Sequence, residues 1–145
     1  MFKAERTSLY EFVYSLFYNV VTKNVYMMNE PQELTSDDVK NGFIVIRIGN
    51  ITDESQFNGN AYAWSRVFIE AYVPAKSRGR VDMGKYKRFE DSINDVITQA
   101  SQDGESDYTL ALDSVLSMDG EETSNANNIF FMFIKSFIIT ATNQN

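Results

Sequence analysis

Ala61-Tyr62-Ala63-Trp64-Ser65-Arg66-Val67-Phe68-Ile69-Glu70-Ala71-Tyr72-Val73-Pro74 is the stretch on which the fold turns. Ala63, Val67, Ile69, Ala71 and Val73 mark one side, while Tyr62, Trp64, Arg66, Phe68, Glu70 and Tyr72 mark the other. A period of two residues is the signature of a strand whose faces see different surroundings. The first side is small and apolar, as a core face requires. The second mixes rings with charges, as a partly covered surface does. Pro74 ends the strand, because proline cannot donate to a ladder.

Upstream, Phe43 to Ile48 is a β-branched run that reads as a second strand, buried on at least one face. The polar segment 51–60, which includes Asn58-Gly59-Asn60, reads as the loop between them. Val25 to Met28 suggests a short strand, and Thr35-Ser36-Asp37-Asp38 opens one helical turn that ends at Gly42. The chain begins with a helix, Ser8–Asn24. Ser8 is the expected cap, with Glu11 completing a capping box. Leu9, Phe12, Val13, Leu16, Phe17 and Val20 recur at helical spacing and form its apolar face. Tyr10, Tyr14 and Tyr18 make a second stripe, either the margin of the core or a contact surface for a neighbour.

Downstream, Ala75 to Arg80 is a basic loop with Gly79 in its turn, and Asp82 is the expected cap of a second helix. Tyr86, Phe89, Ile93, Val96, Ile97 and Ala100 fall on one face of that helix. A polar linker, 101–106, leads to a strand from Tyr108 to Met118. The acidic, Asn-rich segment 119–128 reads as a loop. A last strand from Ile129 to about Thr140 is apolar on both sides, which places it centrally in a sheet. The pattern predicts one α+β domain over residues 1–145. It has an antiparallel sheet with two helices packed on one face, in the order α-β-β-β-α-β-β.

Composition narrows the function. The chain contains no Cys and no His, which removes thiolate ligands, the commonest general base and the commonest metal ligand. The usual glycine-rich phosphate loops, the zinc-protease helix motif and the nucleophile elbow are all missing from the sequence. Asp53-Glu54 and Glu121-Glu122 are adjacent acids whose side chains diverge in extended chain, a poor arrangement for acid–base work. Asp103, Glu105 and Asp107 alternate and read either as oxygen ligands converging in a loop or as a solvated acidic loop. They lack the glycine and the closing glutamate of a calcium loop. No catalytic residue, cofactor or metal is expected. Residues 1–8 are polar and no long apolar run follows, so synthesis in the cytosol without membrane insertion is expected.

The formal charge of −7 argues against a general nucleic-acid binder. Its distribution says more. Six of the thirteen basic residues lie between Lys76 and Arg88, whereas Phe89 to Ile134 holds ten acids and no base. Three readings of the basic segment stand: a solvated loop, a phosphate or DNA contact through Arg78-Gly79-Arg80, or a socket for another copy of the chain. In the socket reading, Lys76, Arg78, Arg80, Lys85 and Arg88 of one copy meet Asp103, Glu105, Asp107, Glu121 and Glu122 of the next. Tyr62, Trp64, Phe68 and Tyr72, on the aromatic side of the long strand, are candidates for contact with a partner.

The opening helix, the strand ending Val67-Phe68-Ile69-Glu70-Ala71-Tyr72-Val73-Pro74, the turn Val81-Asp82-Met83-Gly84, the amphipathic helix Lys85–Ala100 and the closing strand pair form a recurring order. In that order the chain resembles bacteriophage tail-terminator and head–tail connector proteins. The resemblance covers most of the chain and rests on pattern rather than on an invariant motif. It implies a homo-oligomeric ring in the virion, at the neck or the head-proximal end of the tail, assembled in the host cytoplasm. DNA would pass through the lumen only as non-specific cargo, and the partners would be the chain itself and adjacent neck or tail proteins. An acidic balance fits a lumen past which DNA slides. The alternative is a cytosolic small-ligand-binding or adaptor α+β domain, with a Tyr- and Phe-lined pocket between helix and sheet.

Overall fold

A computed structural model describes residues 6–55, 61–102, 108–112, 121–125 and 128–142. Along the chain run α1 (Arg6–Phe17), β1 (Val25–Met27), α2 (Ser36–Asn41), β2 (Phe43–Ile48), β3 (Thr52–Ser55) and β4 (Ala61–Pro74). A 3-10 turn (Ser77–Gly79), α3 (Met83–Ser101), β5 (Tyr108–Leu112), β6 (Glu121–Asn125) and β7 (Asn128–Thr142) complete it. The class is α+β.

The sheet is mixed rather than antiparallel, and its element order is longer than expected. β1 runs parallel to β2, with Val25 opposite Ile44 and Met27 opposite Ile46. The intervening α2 returns the chain to the same end of the sheet, so β2 starts in the direction in which β1 did. All other pairings are antiparallel. The order is β1-β2-β4-β7-β5, with β3 beside β4 and β6 beside β7. β4 and β7 are the spine, in register from Tyr62 opposite Thr142 to Pro74 opposite Phe130. Each outreaches its main outer neighbour, and the backbone groups left over pair with β3 and β6. That demand is why polar Thr52–Ser55 and Glu121–Asn125 form strands where their composition suggests loops.

The odd-numbered residues of β4 face the helices, as the alternation predicts. Leu9, Val13 and Phe17 of α1 share one core with Phe89, Ile93 and Ile97 of α3 and with Val67, Ile69, Phe133 and Phe137 of the sheet. Both long helices therefore pack on one face. Phe17 stacks on Phe137 with ring centroids 6.3 Å apart, and Tyr86 meets Phe133 at 5.0 Å. Lys135 enters this layer on β7 and is paired with Glu90 of α3 at 3.1 Å. Fully buried rings fill the space between helices and sheet.

On the opposite face a second, smaller core gathers Phe43, Val45, Tyr72 and Phe130, covered by Tyr26 and Leu34. α2 is fixed beside it by a reciprocal cap. The Thr35 hydroxyl accepts from Asp38 N–H at 3.1 Å, and the Asp38 carboxylate accepts from Thr35 N–H at 2.9 Å. Gly42 closes α2 at φ +81°, and its N–H donates to Asp38 O at 2.9 Å.

α3 begins where expected, with Asp82 Oδ1 accepting from Lys85 N–H at 3.2 Å. α1 differs at both ends. Ser8 lies inside the helix rather than at its cap, and the helix stops at Phe17 because Asn19 takes a positive φ of 60°. Val20, expected in the apolar face, is consequently exposed.

Candidate functional site

The second face of the sheet carries the small second core and, beside it, a further apolar group. In that group Trp64 and Phe68 of β4 alternate with Ile138 and Ile134 of β7. The register sets Arg66 opposite Ile138, Phe68 opposite Ser136 and Glu70 opposite Ile134. The four apolar side chains therefore descend in a zig-zag, Trp64, Ile138, Phe68, Ile134, with exposed Arg66 between the two rings. All four are half-buried, and none packs against either core.

A polar network bounds this patch. Arg47 Nε donates to Glu70 Oε2 at 2.6 Å, and its Nη1 donates to the carbonyl of Met28. Glu70 Oε1 and Glu30 Oε1 both approach the Tyr72 hydroxyl, at 3.0 and 2.6 Å. Burial, then the hydrogen bond to Glu30, holds the Tyr72 phenol far above its ordinary pKa. The hydrogen bond to Glu70 likewise raises that of Arg47. Tyr72 is itself only 4% exposed and belongs to the second core rather than to this group. The side chain of Tyr62 lies outside the described residues.

The basic segment forms a tight projection at the end of β4. Lys76 N–H donates to Arg80 O at 2.6 Å, and Gly79 takes φ +71° in the turn between them. Lys76, Arg80 and Arg88 are exposed, and Arg78 sits in the turn with its side chain outside the described set. Lys85 is half-buried and its Nζ donates to Lys40 O at 3.2 Å. Of the acidic partners expected, Asp103, Glu105 and Asp107 lie outside the described residues. The backbone of Glu121 and Glu122 pairs with Met132 and Phe131, and the side chains of both are not described. Ala75 N–H donates to Ile129 O at 3.0 Å, which joins the base of the cationic turn to the start of β7. The cationic turn and the acidic strand thus occupy the same end of the sheet, on either side of β7.

The tyrosine stripe of α1 splits between its two readings. Tyr10 is buried, and its hydroxyl accepts from Ile48 N–H at 2.9 Å, which satisfies the end of β2. Tyr14 and Tyr18 stack at 5.4 Å with planes 24° apart, and Tyr18 is 45% exposed. Tyr14 is half-buried and packs against the main core, while Glu11, at i, i+3 and i+7 with the two rings, is exposed. Spacing alone could not separate Tyr10 from its neighbours, because the early end of the helix decides which turn overhangs the sheet.

Among the described residues no group of three or more acids is placed to hold a metal ion. No described helix is long and apolar enough to cross a membrane. Searches of protein-family models and of curated proteins find no match to this chain.

Proposed function

We propose that this chain is a structural subunit that joins copies of itself into a ring at the neck or head-proximal tail end of a bacteriophage. Adjacent neck or tail proteins lie above and below the ring, and DNA passes through the lumen as non-specific cargo. One observation carries the self-assembly reading: Trp64, Phe68, Ile134 and Ile138 form an apolar patch on a sheet face that belongs to neither core. Clustered rings left outside a core mark an interaction surface. The virion setting is supported by the resemblance in element order and by the charge of −7, which suits a wall that DNA must not grip. An adaptor that binds a different protein would use the same patch, and it differs only in the identity of the partner.

Sizing with light scattering separates the two. A closed oligomer of uniform mass, seen as an annulus by electron microscopy, is the expected result; a monomer at all concentrations would overturn it. The charged socket has its own check. Reversing Arg78 and Arg80 to Glu should weaken self-association at low salt, and adding Glu121→Lys and Glu122→Lys should partly restore it. Assembly unchanged in both variants removes the socket while leaving the ring.

A further inference from the structure

We infer that the end of the molecule around Gly42 is a contact for the phosphate backbone of double-stranded DNA. The inference rests on the reading of DNA as cargo of the ring, and it names the surface that meets that cargo. Segments distant in sequence converge there. Thr22 Oγ1 and Asn24 Nδ2 donate to Gly42 O at 3.4 and 3.1 Å, which sets Lys23 beside the end of α2. Lys85 Nζ donates to Lys40 O, and Arg88 follows Lys85 at i+3 on α3. A Cβ at Gly42 would lie 3.0 Å from Pro74 Cδ and 3.2 Å from Phe89 Cζ, so the end of β4 closes on the same point. The turn bracketed by Lys76 and Arg80 follows directly.

These cations are uncompensated. Lys23, Lys40, Lys76, Arg80 and Arg88 are exposed, and among the described residues none of their side chains has a hydrogen-bond or ion-pair partner. Other basic side chains differ. Arg47 pairs with Glu70, Lys87 with Asp91 and Lys135 with Glu90, and Arg66 is engaged within the chain. The sequence holds 20 acids against 13 bases, so counter-charges are not scarce. The carboxylates of α2 and of the α3 cap are held by neutral donors instead. Asp37 accepts from the amides of Asn24 and Asn41, each at 2.6 Å, Asp38 accepts from Tyr26, and Asp82 accepts from Lys85 N–H. Like charges gathered without carboxylate contacts suit an anion from outside.

The make-up of the surface selects that anion. Asn24, Asn41 and Gly84, the sequence neighbours of three of these cations, bring no apolar side chain. Met83 is 60% exposed, but it lies about 200° around α3 from Lys85. A protein partner calls for an apolar centre, whereas a phosphate backbone calls only for positive charge. With acids in excess over the rest of the chain, the grip is weak and yields to salt, as a sliding duplex requires.

The test titrates a fluorescent duplex of random sequence with the full chain across a salt series, read by anisotropy. Binding should be present at low salt and fall steeply. Four neutralised phosphates give a slope of about −3.6 in log K against log salt. Lys23→Glu combined with Lys40→Glu, neither of them in the charged socket, should weaken binding at least tenfold and flatten that slope. The far-ultraviolet circular dichroism should stay that of the parent, since both side chains are exposed and unpartnered. Lys87→Glu makes the same charge change at a cation already paired with Asp91, and it should affect binding far less than Lys40→Glu.

No duplex binding at low salt, an unchanged slope in the double variant, or equal losses in Lys87→Glu and Lys40→Glu would each overturn the contact. Polyglutamate that competes as well as unlabelled duplex would assign the surface to an acidic protein and overturn it too. If the double variant loses its folded spectrum, Lys23→Gln with Lys40→Gln decides by the same slope. The ring is judged separately by light scattering. A monomer that binds duplex overturns the ring and leaves the contact, whereas a closed oligomer that does not bind overturns the contact alone.

Discussion

The Tyr26 hydroxyl lies 2.8 Å from both carboxylate oxygens of Asp38, a side chain with no exposed surface at all. The remaining support of that carboxylate is the N–H of Thr35, so a phenol from β1 helps to hold the buried acid that caps α2. Replacing Tyr26 by Phe strips a donor from a group that cannot rehydrate. Such losses destabilise by about 1–3 kcal/mol, and a denaturant midpoint shift of that size without a change in slope is the expected reading.

Alkaline titration should reveal the same contact. Burial, and then the hydrogen bond to Asp38, push the Tyr26 phenol up to about 12 from an ordinary value of 10. A group whose folded pKa is raised stabilises fully below its unfolded pKa and loses that contribution as pH climbs through the folded one. Stability should therefore fall between pH 10 and 12, with Tyr72, also raised, extending the decline. Tyr26→Phe and Tyr72→Phe should each flatten the curve of unfolding free energy against pH. A slope identical to that of the parent in both variants would contradict this assignment.

Gly42 is irreplaceable for two separate reasons. It holds φ +81°, and a Cβ built there would sit 2.5 Å from the backbone oxygen of Tyr72 and 3.0 Å from Pro74 Cδ. Gly42→Ala should cost roughly 2–4 kcal/mol, combining left-handed strain with a clash against main chain. Asn tolerates positive φ mainly at left-handed helical ψ, whereas Gly42 holds ψ 179°, and the Asn Cβ would meet the same oxygen. Gly42→Asn should thus be no milder, and thermal unfolding of the two variants checks which effect dominates.

Phe137 and Phe68 share the sheet but not its faces. Phe137 is fully buried against Phe17, so truncation to Ala opens a cavity and should cost about 3–5 kcal/mol. Phe68 lies outside both cores, and its truncation should cost under about 1 kcal/mol in the monomer. Equal losses at both positions, measured by urea unfolding, would mean that the second face is more fully packed than described.

Much of the spine was legible because its residues answer to their own chemistry. The alternation of Ala61–Pro74, the doubly apolar Asn128–Thr142 and the cap at Asp82 all report local burial or local hydrogen bonding. What escaped was decided at a distance. Thr52–Ser55 and Glu121–Asn125 are strands because longer neighbours leave ladder groups to satisfy, which nothing in TDES or EETSN announces. The parallel β1–β2 pair depends on a helix of six residues that reverses the chain. The site was half readable. Trp64 and Phe68 were singled out on strand parity, whereas Tyr72 shares that parity and is buried because the segment around Tyr26 and Leu34 folds over it. Parity assigns a face and says nothing of what lies on top.

The stepped outline of the sheet has a bearing on how copies can meet. Because β2 and β3 share one flank of β4, and β5 and β6 share one flank of β7, neither border of the described sheet offers a long straight row of vacant amides and carbonyls. Sideways zipping of one sheet onto another, the route to fibrous aggregates, finds only short, polar or offset segments to grip. Contact through broad surfaces is left as the easier mode, and it is the one compatible with an assembly that stops at a fixed number of members.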